Sequence, residues 1–155
     1  MAVLSTIQFW DNEGNELEGP REDGTSLVHE FDHRVYLPFD KEQTLIEGSR
    51  KIAPLNVVKY IDRLSPQLIK MACEGKKCEK VVLTLYRINR DDGNEEPYFT
   101  YTLENANIVS VENSMLSTKT EDTEAIDHLE KVGIVARKWE WEYLDGGISH
   151  PEEAF

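Results

Sequence analysis

The stretch LVHEFDHRVY, residues 27–36, contains the string H-E-x-x-H, which on a helix is the grip of a zinc hydrolase. The string works only if a helix brings residues i and i+4 onto one face. Around His29 the pattern is not helical. Leu27, His29, Phe31, His33, Val35 and Leu37 alternate with Val28, Glu30, Asp32, Arg34 and Tyr36, the period-two signature of a strand. On an unbroken strand His29 and His33 stand about 13 Å apart, far beyond a shared ion, and Glu30 points to the other face. Nothing in the stretch signals a break, so the string reads as a strand and no metal site is expected.

Working outward, the chain has the punctuation of an all-β domain. A first strand is expected at Val3 to Trp10, followed by an acidic, glycine-bearing loop, Asp11 to Gly24. Pro38 to Gly48 reads as a second long connection. Lys80 to Ile88 (KVVLTLYRI) is apolar on both faces and calls for cover on both. Asp92-Gly93 marks a hairpin into Tyr98–Leu103 and Ala106–Glu112, read as successive strands of a meander. Ser117 to Ile126 is a polar connection. In VGIVARKWEWEYL the apolar parity changes between Ala136 and Trp139, and a β-bulge near Val135 to Lys138 would reconcile the halves. Leu144 to Gly147 is a turn. One helix interrupts the strands: Ser65 suits an N-cap, Pro66 the first helical position, Leu64 and Ile69 a hydrophobic staple, and Gly75 the stop. Leu68, Ile69, Ala72 and Cys73 form its expected buried stripe. The fold class is therefore all-β, a β-barrel of two antiparallel sheets with one short α-helix on its side, as a single domain over residues 1–155.

The 155 residues carry 30 acids against 17 Lys and Arg, a formal charge of -13. That repels nucleic acid. No apolar run approaches the ~18 residues of a membrane span, and MAVLSTIQFWDNEG shows no Sec-type signal. Cys73 and Cys78 are too few for a disulfide framework; free or buried thiols, a local disulfide and a metal role are the readings in descending order. The histidines His29, His33, His128 and His150 are scattered, the pairs Asp91-Asp92 and Glu95-Glu96 sit on a hairpin tip, and neither a phosphate loop nor G-x-S-x-G is present. Catalytic, cofactor and metal residues are accordingly expected to be none. Trp139, Trp141 and Tyr143 form an aromatic stripe, either core or interface packing or, as the rival reading, a sugar-stacking platform.

Four stretches in order resemble the haemolysin-coregulated protein (Hcp) family of bacterial type VI secretion. EFDHRVYLPFD is similar to its strand leading into a Y-x-P-x-D loop. GSRKIAPLNVVKYIDRLSPQLIKMACEG resembles its K-x-I-D-x-x-S-P segment and helix. YFTYTLENANIVSV resembles its Y-F-x-x-x-L-E-x-A hairpin, and HLEKVGIVARKWEWEYLDGGI its closing H-L-E to W-x-x-x-D-G strand. Together they cover about residues 25–148. The resemblance implies a non-enzymatic tube subunit: homo-hexameric rings that stack into a hollow tube, sheath and spike-tip proteins as partners, and effector proteins in the lumen. It also implies assembly in the cytoplasm and secretion without a cleaved signal peptide. It makes Pro38, Phe39, Asp40, Lys41, Glu42 and Gly48 a ring-stacking loop, with Arg50 and Lys51 as further stacking contacts. The Asn12 to Gly24 connection is shorter than in most relatives. The chain runs to Phe155 straight after the expected barrel, which implies a bare tube subunit without a toxin domain. The rival reading is a monomeric all-β module that binds a carbohydrate or peptide.

Overall fold

Three long antiparallel strands carry the architecture, and everything else is placed against them. They are the β-rich stretches at Lys77–Ile88, Glu95–Ser114 and Leu129–Tyr143, paired in that order. The computed structural model describes residues 4–42, 44–46 and 48–154. In chain order the elements begin with β1 (Ser5–Trp10), β2 (Glu16–Leu17), β3 (Ser26–Leu27) and β4 (Glu30–Asp32). Four two-residue strands follow: β5 (Val35–Tyr36), β6 (Phe39–Asp40), β7 (Leu45–Ile46) and β8 (Lys51–Ile52). Then come β9 (Leu55–Tyr60), helix α1 (Ser65–Glu74), the three long strands β10, β11 and β12, and β13 (Ile148–Glu153).

The fold is mainly β and antiparallel with one short helix. The main sheet runs β2-β1-β10-β11-β12-β9-β4, with β13 paired to β12 and β3 to β1. Its two ends are bridged by one segment. Val28 N donates to Ser5 O at 2.9 Å on the β1 side, and His29 N to Val58 O at 2.8 Å on the β9 side. The sheet thus curls round a core without one continuous ladder closing it. The bridging explains why the strand expected to run unbroken from Leu27 to Leu37 is in three pieces. Each piece takes a new partner: β3 pairs β1, β4 pairs β9, and β5 pairs β8. The inward face changes with the partner, from Ser26 and Val28, to Phe31 and His33, to Tyr36, so the expected face of Leu27, His29, Phe31, His33, Val35 and Leu37 is not one face. The first strand begins at Ser5; Val3 and Phe155 lie outside the described residues.

The parity change in β12 is real, but its cause is not an extra residue at Val135 to Lys138. The β11–β12 register is the same on either side, Glu104 opposite Lys138 and Ala106 opposite Ala136. Instead three neighbouring strands switch their inward face at one level. Cys78 and Val81, Leu103 and Ala106, and Ala136 and Trp139 are all buried, with Glu79, Asn105 and Arg137 turned out between them. Asn105 adopts φ 52°, the left-handed region that Asn tolerates better than most residues. The two expected strands Tyr98–Leu103 and Ala106–Glu112 are therefore one bent strand, β11. Its extra residues fall elsewhere: Tyr98 opposite the Leu85/Tyr86 step of β10, and Val109 opposite the Gly133/Ile134 step of β12.

The core holds Ile7, Phe9, Leu55, Val57, Leu83, Leu103, Ile134 and Trp139, with Leu68 and Met71 supplied by the helix. The helix is rotated from its expected face. Ile69 and Cys73 point outward, Met71 is buried, and Ala72 only partly so; the Leu64–Ile69 staple is not made. Ser65 is the first helical residue rather than the cap, and Pro66 the second rather than the first. Leu64 stands at the cap with helical dihedrals, and Gly75 at φ 65° ends the helix. Both cysteines are free, and burial, assisted by the charge of Asp11, pushes the Cys78 thiol up to about 11.

One polar cluster penetrates this core. Lys59 on β9 and Glu130 on β12 face each other across the ladder, both fully buried, with Nζ 3.1 Å from Oε1. Neither Glu130 oxygen has hydrogen-bond geometry to a donor among the described residues, so this contact is purely ionic. Lys59 Nζ also donates to Asp62 Oδ1 at 2.9 Å and to the Tyr60 carbonyl at 3.2 Å. Asp62 Oδ1 accepts from Leu64 N at 2.9 Å, Ser26 Oγ donates to Asp62 Oδ2, and Asp62 N donates to Ser65 Oγ at 3.0 Å. Removing the cation leaves two carboxylates unpaired. Lys59→Met should therefore cost about 3–5 kcal/mol in urea unfolding, and Lys59→Met with Glu130→Leu should recover much of it. A single variant that unfolds like the wild type would show the cluster to be dispensable.

Candidate assembly surface

Between His33 and Ala53 the chain leaves the main sheet and returns to it. Two short ribbons form the excursion: Val35 and Tyr36 pair with Ile52 and Lys51, then Phe39 and Asp40 pair with Ile46 and Leu45. The Pro38 to Gly48 connection is thus a β-hairpin arm rather than an irregular loop. The sequence pattern supports it, because Leu37-Pro38-Phe39 and Leu45-Ile46 flank a charged turn. Asp40 Oδ1 accepts from Glu42 N at 2.9 Å and helps set that turn. Gly48 adopts φ 93°, which the return strand requires and side-chain-bearing residues avoid. Gln43 and Glu47, which fall in this connection, lie outside the described residues.

The arm's root is tied to the body at three points. Ala53 N donates to Arg34 O at 2.9 Å. The His33 Nε2–H donates to Ala53 O at 3.0 Å, and the ring stacks on Trp139 at 4.6 Å and 15° between planes. Arg50 reaches β13, where its Nη2 meets Glu152 Oε2 at 2.8 Å and the Glu153 carbonyl. Arg50, His150 at 2.9 Å and their hydrogen bonds hold the Glu152 carboxyl below the usual range. Arg34 lies 3.9 Å over the Tyr36 ring.

The expected stacking residues therefore separate. Pro38, Phe39, Asp40, Lys41 and Glu42 share the outer ribbon and its turn, and Gly48 lies on the return path. Lys51 lies in the inner ribbon, its backbone opposite Tyr36. Arg50 is engaged at the root with the C-terminal strand. What sequence reasoning missed is the arm's apolar character. Val35, Leu37, Phe39, Leu45 and Ile46 are each 49–64% exposed. Lone exposed apolar residues are ordinary, but several on one projecting element mark a contact surface. β13 was missed too: ISHPEE is polar and carries Pro151, which only an edge strand accommodates.

Other candidate sites resolve differently. His29 lies against Tyr60, with ring centroids 4.1 Å apart, and His33 against Trp139, so the two imidazoles have separate surroundings. Among the described residues no group of three or more His, Cys, Asp or Glu is placed to hold a metal. Among the described residues no helix is long and apolar enough to cross a membrane. Of the aromatic stripe, Trp139 is buried beneath His33, while Trp141 is half-buried and faces His150 at 6.3 Å.

A family model described as "Type VI secretion system effector, Hcp" matches residues 7–143. The chain belongs to the Hcp family. It is 30% identical over 143 residues to the "Major exported protein" of Pseudomonas aeruginosa, covering 92% of this chain and 82% of that one. A double-tryptophan mutant of Hcp1 from the E. coli EAEC 042 pathovar has a TM-score of 0.87 at 29% identity, covering 99% of this chain and 100% of the other. The secreted protein Hcp3 from Pseudomonas aeruginosa has the same fold, with a TM-score of 0.78 at 22% identity and coverage of 98% of each chain. The motifs that suggested Hcp now have physical roles. K-x-I-D-x-x-S-P supplies Lys59, Asp62 and Ser65 of the buried cluster, and H-L-E supplies Glu130. The L-E-x-A of the hairpin, Leu103 to Ala106, is the bend in β11.

Burial holds the His33 imidazole below its ordinary 6.5, against the opposing pull of the Ala53 hydrogen bond and the Asp32 charge. The unfolded chain then takes the proton more readily than the folded one. The stability the neutral ring brings is complete above the unfolded value and declines as pH falls below it. An NMR titration should place the His33 midpoint below 6.5. A midpoint above 6.5 would contradict this placement.

Proposed function

We propose that the protein is a structural subunit of the type VI secretion machine, a single domain over residues 1–155 that performs no chemistry. Six copies close into a ring, and rings stack into a hollow tube whose lumen carries effector proteins. Sheath and spike-tip proteins are its partners, and it is assembled in the cytoplasm and then exported. Family membership supports the setting, and the name of the Pseudomonas relative supports export. The observation that carries the assembly reading is the arm: an apolar, projecting hairpin, rigid at its root, on a chain of net charge -13. Such a surface gains by being covered, and Pro38, Phe39, Asp40, Lys41 and Glu42 at its outer end are the stacking contacts. Arg50 and Lys51 contribute from the root side. Against the rival monomeric sugar-binding reading, Trp139 is buried, which leaves only the half-buried Trp141 and Tyr143 of its stripe.

Light scattering with electron-microscope class averages is the direct test. A six-fold ring is expected, and a molecule that stays single at every concentration would overturn the proposal. Phe39→Asp with Ile46→Asp, a cross-strand pair on the arm, should leave rings intact and reduce the tube fraction by about tenfold or more. Six copies multiply the -13, so stacking must work against repulsion over a Debye length of about 10 Å at 0.1 M salt. Moderate salt should therefore lengthen tubes in sedimentation; a monotonic loss of tubes with salt would show that ion pairs, not apolar contacts, dominate the joint.

A further inference from the structure

The arm needs a surface to meet, and the chain offers one at the other end of β9. The arm leaves and rejoins the body at Arg34 and Ala53, beside Leu55. β9 then runs about 20 Å, at ~3.3 Å per residue, to Tyr60. There Ile61 N donates to His128 O at 3.1 Å, and Ser114, the last residue of β11, stands opposite Leu129. β9 and β11 flank β12, so Ile61 and Met115 lie about 10 Å apart, two strand spacings. Ile61 is 43% exposed, Met115 62% and Leu116 38%. This is a second apolar patch on the body, remote from the arm's root.

The two patches differ in charge. Residues 34–52 carry four basic and three acidic side chains, a slightly positive stretch in a strongly negative protein. The connection beside Met115 and Leu116 carries Glu121, Asp122, Glu124 and Asp127 against the lone Lys119. Glu121, Asp122 and Glu124 all lie in its exposed, turn-rich part, and Glu124 N donates to Thr120 O at 3.1 Å. Two arms meeting would bring similar surfaces together. An arm meeting this end brings apolar on apolar, with an acidic rim beside a slightly positive element.

We infer that the Ile61–Met115–Leu116 end, with its acidic 117–127 rim, is the surface on a second copy of this chain that receives the arm. The contact is heterologous: two different patches meet, each copy gives its arm and accepts another, and repetition extends the assembly head to tail. The inference rests on the tube reading above and names the partner surface within it. The cleft between Arg87, Arg90, Tyr98 and Asp145 at the other hairpin tip is the competing receptor. It is charged rather than apolar. Its Arg87 is already engaged by Glu96 at 3.1 Å and the Tyr143 hydroxyl at 3.0 Å.

The test uses the full chain with Cys73→Ser, so that Cys78 is its only native thiol and is buried. Leu45→Cys protein is mixed with Met115→Cys protein and, separately, with Arg90→Cys protein, under mild oxidation. A disulfide-linked pair forming at least about fivefold faster with Met115→Cys than with Arg90→Cys is expected for a docked arm. Equal rates, or faster linkage to Arg90→Cys, overturn the inference. Met115→Asp with Leu116→Asp should cut the tube fraction by about tenfold while rings persist; undiminished tubes also overturn it. Both substitutions are at exposed positions, and an unchanged thermal midpoint confirms that the fold is intact. A wild-type protein that forms no rings removes the tube reading itself, whereas tubes that ignore both tests remove only the docking surface.

Discussion

The ion cluster of Lys59, Asp62 and Glu130 is the constraint on which the rest of the structure depends. Its members come from β9, from the turn before α1 and from β12, and Ser26 joins from β3. An ion pair in a core is poor evidence of net stability, because desolvation offsets the attraction. Its value is in specifying register. A one-residue slip of β9 against β12 would place Lys59 opposite an apolar or exposed neighbour and strand Glu130. Asp62 then passes that register on to the helix, since the oxygen that meets Lys59 also accepts the Leu64 amide.

That arrangement explains why the helix is rotated from the face its own pattern suggested. Read alone, SPQLIKMACEG places Ser65 as cap and Ile69 and Cys73 in the stripe. Asp62 is drawn toward Lys59 and takes the amides before the helix, so Ser65 becomes the first helical residue and Met71 replaces Ile69 inside. The information lay in Lys59, before the helix, and in Glu130, on a strand far downstream, and no local periodicity contains it. Strand identity, hairpin turns and the helix stop at Gly75 were legible because each depends on neighbours in sequence.

The same division runs through the arm and the bend. The period-two pattern from Leu27 to Leu37 was legible, but its division into three pieces was not: the inward face passes from Val28 to Phe31 and then to Tyr36 as each piece takes a partner distant in sequence. The parity change in β12 was legible, and a single-strand bulge was the local explanation for it. The structure has a different one: β10, β11 and β12 turn together, with Asn105 in the middle strand taking the left-handed conformation. A shared bend keeps the register that a bulge would have shifted. β13 was invisible because its polar sequence has no apolar face; it is held by its ladder with β12 and by Arg50 reaching from the arm.

The arm shows how this fold reserves a surface for assembly. A two-stranded ribbon with two paired positions is marginal in water, so the arm's conformation has to be imposed from its ends. Its root supplies that imposition, through the Arg34–Ala53 hydrogen bond, the His33 ring against Trp139 and Arg50 on β13. Its outer half pairs Phe39 with Ile46 and Asp40 with Leu45, and Phe39, Leu45 and Ile46 are exposed. Folding them back onto the body would require breaking the root, which is fastened to the same sheet that carries the ion cluster. Ordering the outer half in advance lowers the entropy cost of docking, while leaving it uncovered preserves the gain from burial. On a protein whose charge opposes any encounter between copies, that short-range apolar gain must exceed the longer-range repulsion at contact. An arm that carries its apolar residues out from an acidic body places them where the repulsion is weakest.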